Sequence, residues 1–438
     1  MLDEKEFTTK KYLHFDHRVK IEFAESYVTN PLKIARHSFL PLIHYTSSFN
    51  KYNGVVNKGK QREIMYAGHW DHFIYKYYAK ILNTDYYNEF CHSFGIDECV
   101  TAYRNNKTKK SNIDFAAEVI ERIVSYQEAY ILIGDFTDYF SSLDHGLLKN
   151  NLKRVMNVSK LSADWYNVFR SVTKYGYYEK NDVMKSCGRD ADLKFQHKKS
   201  YFEQLIDFRR FQKENPAKYN RGKHGVPQGT AISAVFANLY AIDFDLNMTK
   251  LANKFSGCYR RYSDDFILVI PKGEILNLGE FKKIEIKVRG WAELYKIIIQ
   301  ETKTGLYLYE NKKISNINKP EDRRLDYLGF VFDGKKVKMR GKSPYKFYRK
   351  AKQLINLAQS RKEEKDLVKL PYRKSIYRLY TDLGKEHGEF GNFISYAQRA
   401  QMKFDKLSPH TQNLMMAQIN NRKKKIEKML GVKIHIKI

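Results

Sequence analysis

Hydrophobic positions along this chain gather into two kinds of run. Short unbroken apolar stretches at Ala129–Gly134, Phe266–Ile270 and Ile297–Ile299 predict buried strands, and helical stretches separate them. The mixture predicts an α+β layer with a sheet at its centre. Toward the C-terminus the spacing changes. In SPYKFYRKAKQLINLAQSRKEE and TQNLMMAQINNRKKKIEKML, residues Leu354, Ile355 and Leu357, then Leu414, Met415 and Ile419, recur at helical spacing with basic residues between them. Between these regions, Phe330 and Phe332 alternate up to Asp333-Gly334, and Val337 and Met339 alternate after it, which predicts a β-hairpin. Residues 1–125 are rich in Tyr and His and read mainly as helices with loops. No repeat of 20–50 residues and no Gly/Ser- or Pro-rich linker breaks the chain.

Length and composition narrow the class. At 438 residues, a domain size of roughly 150 gives two or three globular units. The chain is 42% hydrophobic and 14% aromatic, enough for a sizeable core and too much for a disordered protein. Lys and Arg total 79 against 49 Asp and Glu, a formal charge of +30, which points to a polyanionic partner, nucleic acid first. Residues 341–438 hold 23 Lys/Arg against 8 Asp/Glu, a net of +15, so half the excess sits on the helical tail. Cys91, Cys99, Cys187 and Cys258 form no CxxC pair, and neither a zinc site nor a disulfide framework is predicted. The start, MLDEKEFTTKK, is mixed in sign and unlike a signal peptide, and no apolar run approaches the roughly 18–20 residues of a membrane helix. A soluble, cytoplasmic protein without a membrane partner is expected.

Three segments carry candidate chemistry. In CYRRYSDDFILVIP (258–271) Asp264 and Asp265 stand before a strongly apolar strand. Two adjacent charges cost too much to bury in a strand but are tolerable at a hairpin tip, where they invite a hard divalent cation. A simple Asp-containing turn is the ordinary alternative. In AYILIGDFTDYFSSLDH (129–145) an apolar strand runs straight into Asp135, as a metal carboxylate or as the N-cap of a following helix. Two Mg2+ ions about 3.5–4 Å apart need carboxylates from separate strands of one sheet, and Asp135, Asp264 and Asp265 meet that need. In HGVPQGTAISAVFANLYAIDFD (224–245) Gly225, Pro227 and Gly229 make a tight loop before a helix. Its small residues either admit a ligand or serve ordinary packing on a sheet.

The order of these segments resembles the palm of reverse transcriptases, in particular the bacterial group II intron and retron lineage. Asp135 matches the first palm motif, and Pro227-Gln228-Gly229 with Ser233 and Asn238 matches the second. Tyr262-Ser263-Asp264-Asp265 matches the third, Gln300-Glu301-Thr302-Lys303-Thr304 the lysine-bearing next one, and Tyr327-Leu328-Gly329-Phe330 the primer-gripping hairpin. Upstream, KGKQREIMYAGHWDHFIYKYYAKIL resembles the first finger motif, with Lys60 and Arg62 in its basic positions. VTAYRNNKTKKSNIDFA resembles the second, with Arg104. The usual Gly-Phe-Arg-Pro run of intron enzymes is missing.

The resemblance implies a right-hand polymerase. Residues 1–128 would be mainly fingers, 129–150 palm with the first aspartate, 151–223 a fingers–palm connection, 224–340 palm and primer-grip hairpin, and 341–438 a basic helical thumb. It implies nucleotidyl transfer with two Mg2+ ions on Asp135, Asp264 and Asp265, with Lys303 at the departing pyrophosphate. Phe140, Gln228, Lys60, Arg62 and Arg104 would bind the nucleotide, and Gly229, Tyr262, Leu328 and Gly329 would meet primer and template. The flat ring of Phe140 cannot compensate a ribose 2′-hydroxyl, which favours dNTPs and a DNA product. Each side chain has its commoner fate beside it: a core ring for Phe140, a solvated lysine for Lys303, surface or backbone contacts for Arg62 and Arg104. No further module follows the thumb-like tail, and the chain looks most like stand-alone phage-defence (abortive-infection type) reverse transcriptases. Such enzymes copy a dedicated noncoding RNA from a DNA or RNA primer. The alternatives are an untemplated or protein-primed DNA polymerase of the same fold and a catalytically idle RNA-binding scaffold. Oligomeric state is not legible in the sequence.

Overall fold

A computed structural model describes residues 2–52, 57–275, 277–407 and 414–432, the side chains of 48–52, 57–60 and 407 excepted. Its centre is a five-stranded antiparallel sheet in the order β6-β7-β3-β8-β9. The strands are β3 (Ala129–Asp135), β6 (Cys258–Tyr262), β7 (Asp265–Pro271), β8 (Gly305–Glu310) and β9 (Lys313–Asn316). A second sheet joins β1 (Leu42–Tyr52) and β2 (Asn57–Tyr66) to the short β4 (Gly176–Glu179) and β5 (Lys218–Tyr219). Its β1–β4 pair is parallel. A third is the meander β10 (Leu325–Tyr327), β11 (Phe330–Phe332) and β12 (Val337–Met339). The mixed α+β architecture is as the sequence predicts.

Alternation along β3 divides the core. Tyr130 and Leu132, with Leu268 and Leu306, face one cluster that includes the helices Ala231–Tyr240 and Ile242–Lys254. Ala129 and Ile131, with Ile267 and Val269, face a second cluster. It is completed by β10–β12 and the helices Asn112–Ser125, Lys342–Glu364, Phe393–Leu407 and Leu414–Leu430. Covered on both faces, these strands can be continuously apolar, which is why the runs are so plain in the sequence. A smaller third cluster, with Phe15, Ile43 and Phe208, lies under the β1–β4 sheet. No described helix is long and apolar enough to cross a membrane.

The predicted hairpin is present: Phe330 pairs with Met339 and Phe332 with Val337. Asp333 caps its loop by accepting from the Lys335 and Lys336 amides. In the tail, Ile355, Met415 and Ile419 are buried as their spacing predicts, whereas Leu357 is exposed. Two expectations are corrected. Residues 1–125 are not only helices and loops, because β1 and β2 form a long hairpin. Past Ile43 its described side chains are half-buried or exposed and none is buried, so no burial rhythm marked it. Ile297–Ile299 is not a strand. Ile299 makes a single bridge to Phe136, and the chain is fastened by the Thr137 amide donating to the Ile298 carbonyl and the Gln300 amide to that of Asp135.

One glycine sets the spacing of the central pair. Gly134 lies opposite Phe266, and a Cβ at Gly134 would come within 2.4 Å of the Phe266 ring. Phe266 is fully buried and cannot swing away. Gly134→Ala should therefore cost about 1–3 kcal/mol by overpacking, read as a lowered urea midpoint at unchanged m-value.

Candidate active site

The paired aspartates stand at a hairpin tip, as their sequence context predicts. Tyr262 pairs with Asp265, leaving Ser263 and Asp264 as a two-residue turn between β6 and β7. Ser263 has φ +60°, a left-handed conformation that a hairpin turn usually gives to glycine. Neighbouring groups hold it there. The Ser263 carbonyl accepts from Arg261 Nη1 at 2.9 Å, and its hydroxyl donates to the Tyr103 hydroxyl at 3.2 Å. The Asp264 carbonyl accepts from the Phe136 amide at 2.9 Å, tying the turn to the end of β3.

Arg261 is fully buried and answered group by group. Its Nε and Nη2 donate to the two Asp245 oxygens at 2.8 and 2.7 Å, and Nη1 also donates to Asn238 Oδ1 at 3.2 Å. Asp245 accepts a third bond from the Tyr259 hydroxyl at 2.7 Å. The Asn238 amide donates to the Ala102 carbonyl. The Arg261 main chain exchanges bonds with Cys99 and Thr101, which cover the outer edge of β6. Such a bidentate pair combines charge compensation with fixed geometry.

The register of β3 against β7 sets Asp135 directly opposite Asp265. Burial, and then the charges of Asp264 and Asp135, push the Asp265 carboxyl up to about 7, while Lys303 and Arg340 pull it down. Lys303 Nζ forms an ion pair with Asp135 Oδ1 at 2.5 Å from a short 3-10 turn, Glu301–Lys303. The donor set suits a hard cation: acidic oxygens from two adjacent strands, with one carboxyl raised toward neutrality by burial first and then by its neighbours' charge. The cage is not closed, however. Among the described residues no three His, Cys, Asp or Glu side chains converge as a metal site, and Lys303 holds the carboxylate that would face the cation.

The remaining predicted residues fall into distinct settings. Phe140 is half-buried beside Tyr139, and its carbonyl accepts from the Val226 amide, so the 224–229 loop lies on its helical turn. In that loop Gln228 is exposed and its carbonyl accepts from the Met65 amide. Gly229, at φ +132°, would drive a Cβ to 2.3 Å from the Met65 carbonyl oxygen, so the Pro-Gln-Gly loop needs a glycine against β2. Tyr262 is half-buried near Phe115. Leu328 and Gly329 form the two-residue turn between β10 and β11, both with positive φ. The Leu328 carbonyl accepts from the Asn112 side chain, which also donates to the Tyr396 hydroxyl.

Two further groups are taken up within the protein itself. Arg104 is buried, paired with Asp97 at 2.5 Å, bonded to Asn88 and stacked over Tyr87, so in this conformation it fastens its own loop and offers no surface to a triphosphate. The helix Ala231–Tyr240 is buried on almost every side, and its small residues serve packing rather than approach to a ligand. Arg62 is exposed on β2 opposite Ser47, and the side chain of Lys60 lies outside the described residues. Sequence reasoning missed Arg261, Asp245 and Tyr103. An arginine beside the Tyr-Ser-Asp-Asp turn and an acid set between Phe244 and Leu246 were the available signals.

No protein-family model matches the chain, and no curated protein matches it. Among solved structures it is similar to telomerase from Candida albicans in complex with a TWJ fragment of telomeric RNA. That match has 14% identity and a TM-score of 0.42, over 94% of this chain and 66% of that one. It is also similar to apo telomerase from Candida tropicalis, at 13% identity and a TM-score of 0.40, over 96% of this chain and 74% of that one. The chain thus spans slightly under two thirds of the Candida albicans chain. Likeness at these TM-scores carries no argument about fold or activity.

Two outcomes follow from this geometry. The Asp265 carboxyl has a higher pKa folded than its ordinary value of 3.8, so between 3.8 and about 7 the native state holds a proton that the unfolded state releases. Metal-free stability should fall across that window as pH rises, and Asp265→Asn should flatten the fall in urea titrations at stepped pH. Arg261→Met strands Asp245 without its cation and should cost about 3–5 kcal/mol, whereas adding Asp245→Leu should recover much of it.

Proposed function

We propose that the chain is an RNA-directed DNA polymerase, a reverse transcriptase that makes cDNA by two-metal nucleotidyl transfer. The observation that carries this reading is the β3–β7 register, which sets Asp135 against Asp265 with Asp264 on the adjoining turn. Phosphoryl transfer needs positioning and charge stabilisation more than covalent chemistry, and acidic side chains on rigid strand ends suit that need. Asp135, Asp264 and Asp265 would hold two Mg2+ ions. Bound there, the ions would acidify the primer 3′-hydroxyl and screen the charge gathering on the triphosphate.

The chain's own groups account for the rest. Asp265 would have to be deprotonated to ligate a metal, so uptake would favour neutral or higher pH. Lys303, which pairs with Asp135, would offer its ammonium to the leaving pyrophosphate. Phe140, half-buried on the turn that carries the Pro-Gln-Gly loop, would lie beneath the nucleotide sugar and exclude a 2′-hydroxyl. Gln228 and Arg62 would contact the incoming dNTP, and Tyr262, Gly229, Leu328 and Gly329 the primer and template. In this reading 1–128 and 151–223 supply fingers, the five-stranded sheet the palm, and 341–438 the thumb. The finer role we favour is anti-phage defence, with a dedicated noncoding RNA as template.

Primer extension on an RNA template with Mg2+ tests the reading. The wild type should incorporate dNTPs, Asp264→Ala should lose at least a thousandfold, and Phe140→Ala should admit NTPs that the wild type rejects. Absence of incorporation from dNTPs and NTPs alike, on this template and on any RNA that co-purifies, would leave an RNA-binding scaffold as the better account.

A further inference from the structure

Away from the aspartates, the helices His145–Val155 and Ala163–Thr173 and the turn joining them frame, with Tyr86, an open surface cavity of about 970 Å3. None of its lining residues belongs to the candidate active site. Lys149, Lys153 and Lys160 line it, and no acidic side chain does. Among the described residues these three lysines form no ion pair, whereas Arg154, between them in sequence, is paired with Asp243 at 2.6 Å. Three unneutralised ammonium groups around one concavity are a standing positive potential, since low-dielectric walls focus the field.

The second component is aromatic. Tyr166 is 48% exposed on the cavity wall, with Lys149 Nζ 5.1 Å from its ring centroid. Trp165 forms the floor, met edge-on by Tyr86 at 6.4 Å. A flat ring and apolar floor under a rim of lysines match a chain of bases and phosphates. Stacking rewards any base, and ammonium groups follow the backbone. An acidic peptide would use the lysines but leave the exposed ring idle.

We propose that this cavity binds a single-stranded segment of RNA outside the catalytic cleft, with a base on Tyr166 and phosphates at Lys149, Lys153 and Lys160. It is a holding site for template flank, tolerant of sequence. The inference rests on the RNA-partner part of the proposed function and not on its chemistry.

The test is fluorescence anisotropy of the full chain with a labelled single-stranded RNA of about 16 nucleotides across a salt series. The triple variant Lys149→Gln/Lys153→Gln/Lys160→Gln should weaken binding at least tenfold and reduce the slope of log K against log salt by about 2. Tyr166→Leu should weaken binding roughly tenfold at unchanged slope. Lys282→Gln/Lys283→Gln/Lys287→Gln, a charge-matched variant on the helix Leu278–Leu294, should have less than half the effect. Equal losses in the two triple variants, or none in the cavity variants, would overturn the proposal. So would polyglutamate that competes fully with RNA and binds Tyr166→Leu as tightly as wild type, which would mark an acidic-peptide site. Primer extension run in parallel separates the two readings: RNA binding lost in the cavity variants with no extension by wild type would sink the polymerase and leave the cavity standing.

Discussion

Arg261 is buried, and each of its polar contacts reaches a different piece of chain: Asp245 and Asn238 on two helices, Ser263 at the turn, Cys99 and Thr101 along the outer strand edge. A guanidinium taken out of water is tolerable only when all of these are in place, because each missing partner leaves part of the desolvation cost unanswered. The network therefore makes the Ser263–Asp264 turn conditional on correct assembly of its surroundings. A serine held in a left-handed turn stores strain that the carbonyl bond from Arg261 offsets, and the reward is a fixed position for two carboxylates.

Those carboxylates repel one another, and the metal-free protein answers with protonation and with a lysine. Burial and then neighbouring charge raise the Asp265 carboxyl to about 7, and Lys303 pairs with Asp135. A divalent cation bound among these carboxylates would compete with both the proton and the lysine. The same logic at larger scale governs the +30 charge of the whole chain. Where an acid is within reach, cations are paired, as Arg104 is with Asp97 and Arg340 with Asp326. Where none is, as around Lys149, Lys153 and Lys160, the positive field is left for a partner.

The basic tail is also joined mechanically to the sheet. Asn112 links the Leu328–Gly329 turn to Tyr396, and Asp114 pairs with Lys403 at 3.2 Å. These contacts put the 325–339 meander, the helix Asn112–Ser125 and the tail helices in one core. Any movement of the tail relative to the aspartates must strain that shared packing, since close-packed interiors transmit displacement.

What the sequence alone determined was whatever depends on local pattern. Runs buried on both faces announced β3 and β7, the turn chemistry of Asp333-Gly334 announced the β11–β12 hairpin, and two adjacent acids before an apolar strand announced the tip that carries them. The β1–β2 hairpin went unread because, past Ile43, none of its described side chains is buried. What only the tertiary structure decided was pairing across distance. The match of Asp135 with Asp265 depends on strand register, and the burial of Arg104 on an acid seven residues away that happens to fold back. Above all, Arg261 and Asp245 became partners only when a helix and an edge strand met in the core. Charge is visible in a sequence, but its surroundings are not, and a charge takes its meaning from what surrounds it.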